Sequence, residues 1–171
     1  MAKNKIGKRR DMELKEIIAE FAAEVGLADI APDEDGAYNL LIDEMQVSFR
    51  ETPEGGPAYF FATVGDLPPA AGEVFYRMML EAMYLGKGTG GASLSIDGER
   101  GLVCLHRIVS LEGLDLDGFK KALEVFVNTL ETWRKTIADY RELAPVLADA
   151  AKDAADESRQ LGMGLDGVMQ V

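Results

Sequence analysis

Between Glu73 and Leu85 the chain places ten apolar residues and only three charged ones, Glu73, Arg77 and Glu81. Those three recur every fourth position, so on a helix they form one narrow stripe and can pair with one another. The rest of the circumference is apolar, and a helix that is apolar nearly all round is buried nearly all round. Packing on one face of a sheet uses only part of such a surface. With three main helices in the chain, the economical cover for the second face is another copy, because a twofold dimer buries both patches with one set of residues. The alternative is a helix threaded through the monomer's own core. The expected interface residues are Phe75, Met78, Met79 and Met83.

Around this segment the hydrophobic periodicity alternates between helix and strand. Leu14, Ile17, Ile18, Phe21 and Val25 keep helical spacing and Gly26 stands where a helix stops, which predicts a first helix over about residues 12 to 26. Three short runs follow, Tyr38 to Ile42, Met45 to Glu51 and Ala58 to Val64, separated by Asp43-Glu44 and by a turn at Pro53 to Pro57. They predict an antiparallel meander. A second helix from about Ala71 to Leu85 leads to two strands, Ala92 to Ile96 and Leu102 to Val109, joined as a hairpin at Asp97 to Gly101. Phe119, Leu123, Phe126, Val127, Leu130, Trp133, Ile137 and Tyr140 then mark a long helix over about Leu116 to Tyr140, with Asp115 or an adjacent residue as its expected N-cap. Pro145 predicts a kink or a new helix running to about Gln160, followed by a mobile end. The class is α+β: helix, three-stranded meander, helix, hairpin, long helix.

At 171 residues the chain is of single-domain size. A chain of this length can bury roughly 70% of the surface its unfolded form exposes, so it needs no covalent staples. The lone Cys104 rules out an intramolecular disulfide, and no apolar run approaches the roughly 20 residues of a membrane span. Five of the eighteen Lys and Arg lie in the first ten residues (Lys3, Lys5, Lys8, Arg9, Arg10), which hold no acid. From Asp11 onward 13 basic residues face 30 acidic ones, a charge of −17 that repels nucleic acid and anionic lipid. Residues 1–11 are expected to be a disordered, solvated basic arm, and residues 141–171 a partly helical extension with a mobile end. No targeting segment is apparent, since a charged amphipathic helix follows the basic start where a signal peptide needs an apolar core. The expected location is the cytoplasm.

The candidates for chemistry dissolve on inspection. Gly86, Gly88 and Gly91 have the spacing of a phosphate-binding loop, but they follow a helix and precede a strand, the reverse of the order that brings backbone N–H groups and a helix N-terminus onto an anion. They are expected to stop the helix and turn the chain. Cys104 and His106 share one strand face, yet their run, Leu102 to Val109, is apolar on both faces, as expected for buried structure. The pairs Asp33/Asp35 and Asp115/Asp117 lack the third spaced ligand and closing glutamate of a calcium loop, so they read as turn and cap residues. No catalytic residue, metal site or cofactor is expected.

Local sequence points further. Leu80-Glu81-Ala82-Met83, then Gly90-Gly91-Ala92-Ser93-Leu94-Ser95-Ile96-Asp97, then Leu102 to Leu105, and finally Phe126 with Thr132-Trp133-Arg134 resemble the helix end, glycine-led hairpin, apolar strand and Trp-Arg helix of the Tir-chaperone (CesT-like) family of type III secretion chaperones. The resemblance spans about residues 12–140, which it identifies as a chaperone domain. The basic arm and the extension after Tyr140 depart from the family's simplest pattern. The resemblance implies a homodimer that, without ATP, holds the N-terminal segment of a secreted effector protein in a non-globular form and meets components of the secretion apparatus. An alternative is a peptide- or protein-binding regulator of the same fold outside secretion. An extended client would add its main chain to a sheet edge and place side chains in apolar pockets. Leu41, Met45, Val47, Phe49, Tyr59 and Phe61 are the expected client-binding residues. One face of the meander must pack on the helices, and alternation alone leaves open which.

Overall fold

The computed structural model describes residues 13–52, 56–69 and 71–165, with residues 147–165 as helix backbone. The basic arm, the turn at 53–55 and the end after residue 165 lie outside the described residues. The elements run α1 (Leu14–Val25), β1 (Tyr38–Ile42), β2 (Met45–Glu51), β3 (Ala58–Asp66), α2 (Glu73–Met83), β4 (Ser93–Asp97), β5 (Leu102–Val109) and α3 (Leu116–Leu165). The meander and the hairpin are one sheet of order β1-β2-β3-β5-β4, joined where β3 pairs antiparallel with β5 from Ala58↔Val109 to Asp66↔Leu102.

One face of this sheet carries the core. Leu40, Met45, Val47, Phe49, Phe60, Val64, Val103 and Leu105 alternate inward and meet Leu14, Ile17 and Ile18 of α1 and Phe119, Phe126, Leu130 and Trp133 of α3. At its centre Phe49 and Phe60 stand edge to face with centroids 4.7 Å apart, and Phe119 lies 5.4 and 5.5 Å from the two. Ring edges carry partial positive charge and faces negative, which makes this arrangement attractive beyond its buried area.

Local chemistry sets the ends of the helices. The Leu14 N–H at the start of α1 donates to the Glu51 carboxylate at 2.7 Å, placing an anion at the positive end of the helix dipole. At the other end Gly26, at φ 72°, takes the left-handed conformation that closes the helix. Asp115 Oδ1 accepts the Gly118 N–H at 2.9 Å and caps α3. No new helix starts at Pro145: α3 runs through it as one helix of 50 residues. Pro145 lacks the N–H that would reach back to the Arg141 carbonyl, and its ring crowds that carbonyl. Arg141 is itself held by the carbonyl and carboxylate of Asp66, at 2.9 and 3.3 Å.

The glycine-rich stretch turns the chain, as its context predicts, and also lets it lie against α3. The Trp133 indole donates to the Gly88 carbonyl at 2.9 Å, and a Cβ on Gly90 would sit 2.8 Å from Val125 Cγ1 and 2.9 Å from Thr129 Oγ1. Gly90 also has φ +56°. Gly90→Ala therefore combines backbone strain with overpacking and is expected to cost roughly 1–3 kcal/mol, read as a lower midpoint in urea unfolding.

Candidate functional site

The helices cover one sheet face and leave the other to solvent. Alternation along the strands puts Asn39 and Leu41 of β1, Gln46, Ser48 and Arg50 of β2, and Tyr59, Phe61 and Thr63 of β3 on that outer face. Pairing with β5 and β4 extends it through Cys104, His106, Ile108 and Ser95. Leu41 is 76% exposed and Ile108 58%, while Tyr59 and Phe61 are half-buried among their cross-strand neighbours.

The six expected client-binding residues therefore fall on opposite faces. Leu41, Tyr59 and Phe61 lie outside, whereas Met45, Val47 and Phe49 point into the core, with Val47 and Phe49 at 0% exposure. For these three the expectation is corrected. Residues of even and odd number on β2 face opposite ways, and the helices take the odd set because it is the apolar one. Ile108, opposite Tyr59 across the β3–β5 pair, was missed. The signal was present in a fifth strand whose outer face is as apolar as its inner one.

The second apolar surface lies on α2. Phe75 and Met79 are buried against the chain's own core, and Phe75 meets Tyr140 at 4.9 Å. Met78 and Met83 are partly buried, and the Met83 sulfur accepts the Leu94 N–H at 3.2 Å, which pins α2 to β4. Helical phase thus places Phe75 and Met79 in the chain's own core rather than on its surface. What remains exposed is Val74, Tyr76 and Leu80 on the helix and Tyr84 and Leu85 just past its end, with Leu80 at 65%. They lie beside the charged stripe, where the Arg77 guanidinium bonds Glu73 at 2.6 Å. This stripe, one turn of helix from Leu80, is the sequence signal that marks the solvent side.

The polar groups of the outer face do not assemble a reactive centre. Ser95 Oγ lies 3.4 Å from His106 Nδ1, and Ser95 is the cross-strand partner of Cys104. Burial pushes the Cys104 thiol up, and the Asp97 carboxylate adds to the shift. A nucleophilic cysteine needs the opposite change. Asp33 serves its turn: its carboxylate accepts the N–H groups of Asp35 and Ala37 and the Asn39 amide. The Ala37 N–H, followed by the Asn39 amide, holds that carboxyl below the usual range. Among the described residues no three His, Cys, Asp or Glu side chains gather as metal ligands, and no helix is long and apolar enough to cross a membrane.

Comparison with known proteins places this geometry. Residues 16–134 match the Tir chaperone protein (CesT) family. A Chlamydia pneumoniae protein is 31% identical over 123 residues, covering 70% of this chain and 92% of its own length. Among solved structures, the ExsC–ExsE complex contains a chain similar at TM-score 0.61 and 24% identity, covering 74% of this chain and 97% of that one. The Yersinia pestis type III secretion chaperone SycH, solved with a stable fragment of YscM2, matches at TM-score 0.55 and 20% identity over 70% of this chain and 98% of the other. The HopA1–SchA chaperone–effector complex matches at TM-score 0.59 and 16% identity, over 71% and 92%. At these identities the structural likeness is one of fold.

Proposed function

The chain belongs to the Tir chaperone protein (CesT) family, and from that membership we propose that it is an ATP-independent type III secretion chaperone. In this reading it works in the cytoplasm as a twofold homodimer and holds the N-terminal segment of a secreted effector in a non-globular form. The observation that carries the reading is the outer sheet face, where Tyr59, Phe61 and Ile108 stand together on β3 and β5 and Leu41 lies beyond Gln46 and Ser48 on β1, an apolar side that no helix covers among the described residues. A non-globular client exposes the side chains that its own core would bury, and such a surface supplies a substitute. The exposed side of α2 faces a second copy, so that one molecule carries separate surfaces for self-association and for capture.

The test is co-purification of the tagged protein from its native cells, followed by limited proteolysis. One retained partner, protected over an N-terminal segment, is the expected result. A clean dimer without a partner, from cells expressing secretion genes, would point to the regulator reading. Phe61→Asp should abolish retention while the protein still melts in one cooperative transition, because the half-buried ring lies outside the core and its loss is worth on the order of 1 kcal/mol in stability. Full retention by this variant would remove the outer face from the proposal.

A further inference from the structure

The core-facing row of α3 alternates steps of four and three residues, from Phe119 through Phe126, Trp133 and Tyr140 to Ala144, the last buried residue of the helix among those described. The alternation does not stop where the core does. It continues through Leu147, Ala151, Ala154, Ser158, Leu161 and Leu165 to the end of the helix, roughly 30 Å beyond Ala144 at 1.5 Å per residue. This stretch also lies beyond residue 134, where the family match ends. Of the six charged residues between Val146 and Leu165, only Glu157 is next to the row, and the other five fall on the opposite side. A stripe fixed on a straight, isolated helix repeats every 3.6 residues or so, whereas this row keeps a repeat of about 3.5, the period of helices that wind about a second helix.

The order of residues along the row points to which helix that is. Two copies running antiparallel, with Ala151 level with Ala154 of the second copy, bring Leu147 level with the second copy's Ser158 and Ala144 level with its Leu161. Each of these layers sets a large residue against a small one, or two small ones at the centre, so the layers interdigitate. A parallel pair would instead set Leu147 and Leu161 each against itself and leave the alanine layers between them hollow. The body offers a seat at the same level. A cavity of about 530 Å³ lies at the root of the extension, lined mostly by Leu67, Pro68, Pro69, Ala144 and Pro145 beside the Asp66–Arg141 pair. One step further, Leu165 comes level with Tyr140, whose ring meets Phe75 of α2 at 4.9 Å, so the contact adjoins the α2 surface.

We propose that residues 144–165 are a second self-association element: the extensions of two copies pair antiparallel, and Leu161 of each is brought to the cavity at the root of the other. The proposal rests on the homodimer reading for its occupant, and it adds to the α2 surface a contact made by a different part of the chain. A twofold axis between the two Ala151–Ala154 layers makes the pair closed and self-complementary. The residues flanking the row, Ala148, Ala150, Ala155 and Gly162, are small, which lets the two axes approach to the short end of the usual range of about 8–10 Å.

Spin-label distances in the full chain test it. With Cys104→Ser as background, one nitroxide is attached at Lys152→Cys or at Gln160→Cys, both on the charged side of the helix, and sedimentation is run at the same protein concentration. In the antiparallel pair the two labels at 152 are almost level, while those at 160 are separated by fifteen residues along the axis, roughly 22 Å. The distance at 160 should therefore exceed that at 152 by about 10 Å, once the lateral separation of the helices is included. Ala154→Glu, which puts a carboxylate at the central layer, should abolish both defined distances, and their persistence would overturn the pairing. If the protein sediments as a dimer but the two distances are equal or undefined, the antiparallel pair is overturned while the homodimer reading stands. If it sediments as a monomer, the homodimer reading falls, and the pairing with it.

Discussion

Phe49→Asp is expected to unfold the protein outright. The Phe49 ring is wholly buried, edge to face with Phe60 and 5.4 Å from Phe119, where α3 closes over the sheet. Truncating a core phenylalanine typically costs about 3–5 kcal/mol. A carboxylate in that site adds several kcal/mol more for burying a charge without a partner. The sum is comparable with the roughly 5–15 kcal/mol that separates a folded domain from its unfolded chain. Circular dichroism and urea titration should show no cooperative transition. The paired control is Leu41→Asp on the neighbouring strand, which places the same charge on the outer face and should leave the urea midpoint nearly unchanged. A cooperative Phe49→Asp protein of near wild-type midpoint would mean that the helices cover the other face of β2.

The second large effect is on assembly. Leu80 is 65% exposed on α2, amid the exposed Val74, Tyr84 and Leu85. A central apolar anchor of an interface contributes on the order of 2 kcal/mol or more, and twofold symmetry makes each substitution count twice. Leu80→Asp should therefore weaken the proposed dimer by about 4 kcal/mol, roughly a thousandfold, and turn a micromolar sample into monomer in sedimentation equilibrium. Far-UV circular dichroism should stay as in wild type, since the side chain touches little of its own chain. The melting temperature should lose its dependence on protein concentration, because mass action no longer couples folding to association. If wild-type protein sediments as a monomer at the same concentration, the exposed side of α2 is not a self-association surface.

These two predictions locate the limit of what is legible in the sequence. Helical spacing in Leu14 to Val25, and alternation in Tyr38 to Ile42, Met45 to Glu51 and Leu102 to Val109, identify elements whose ends in the fold agree to within about two residues, while the spacing in Phe119 to Ile137 finds the start of α3 at Leu116 but not its end at Leu165. The order of helix and strand around Gly86 to Gly91 was enough to identify that stretch as the turn between α2 and β4. At Pro145 the alternative of a new helix does not hold, because a helix can carry the loss of one hydrogen bond and continue.

The candidate site was legible only in part, for a geometric reason. Met45, Val47 and Phe49 share one face of β2 by alternation, but a pleat has two equivalent faces until something packs on one of them. Likewise the spacing of Glu73, Arg77 and Glu81 marks one stripe of α2 as solvent-facing, while its neighbours Leu80 and Val74 and the opposite Phe75 and Met79 look alike as apolar residues.

Periodicity, capping residues and turn chemistry act over a few residues, and so the sequence by itself determined the elements, their order and the α+β class. The tertiary structure alone decided that β3 pairs with β5 and that α1 and α3 cover the odd-numbered side of β2. Each of those choices is made by contacts between residues distant along the chain, where packing and hydrogen-bond geometry choose between arrangements that local patterns leave equal.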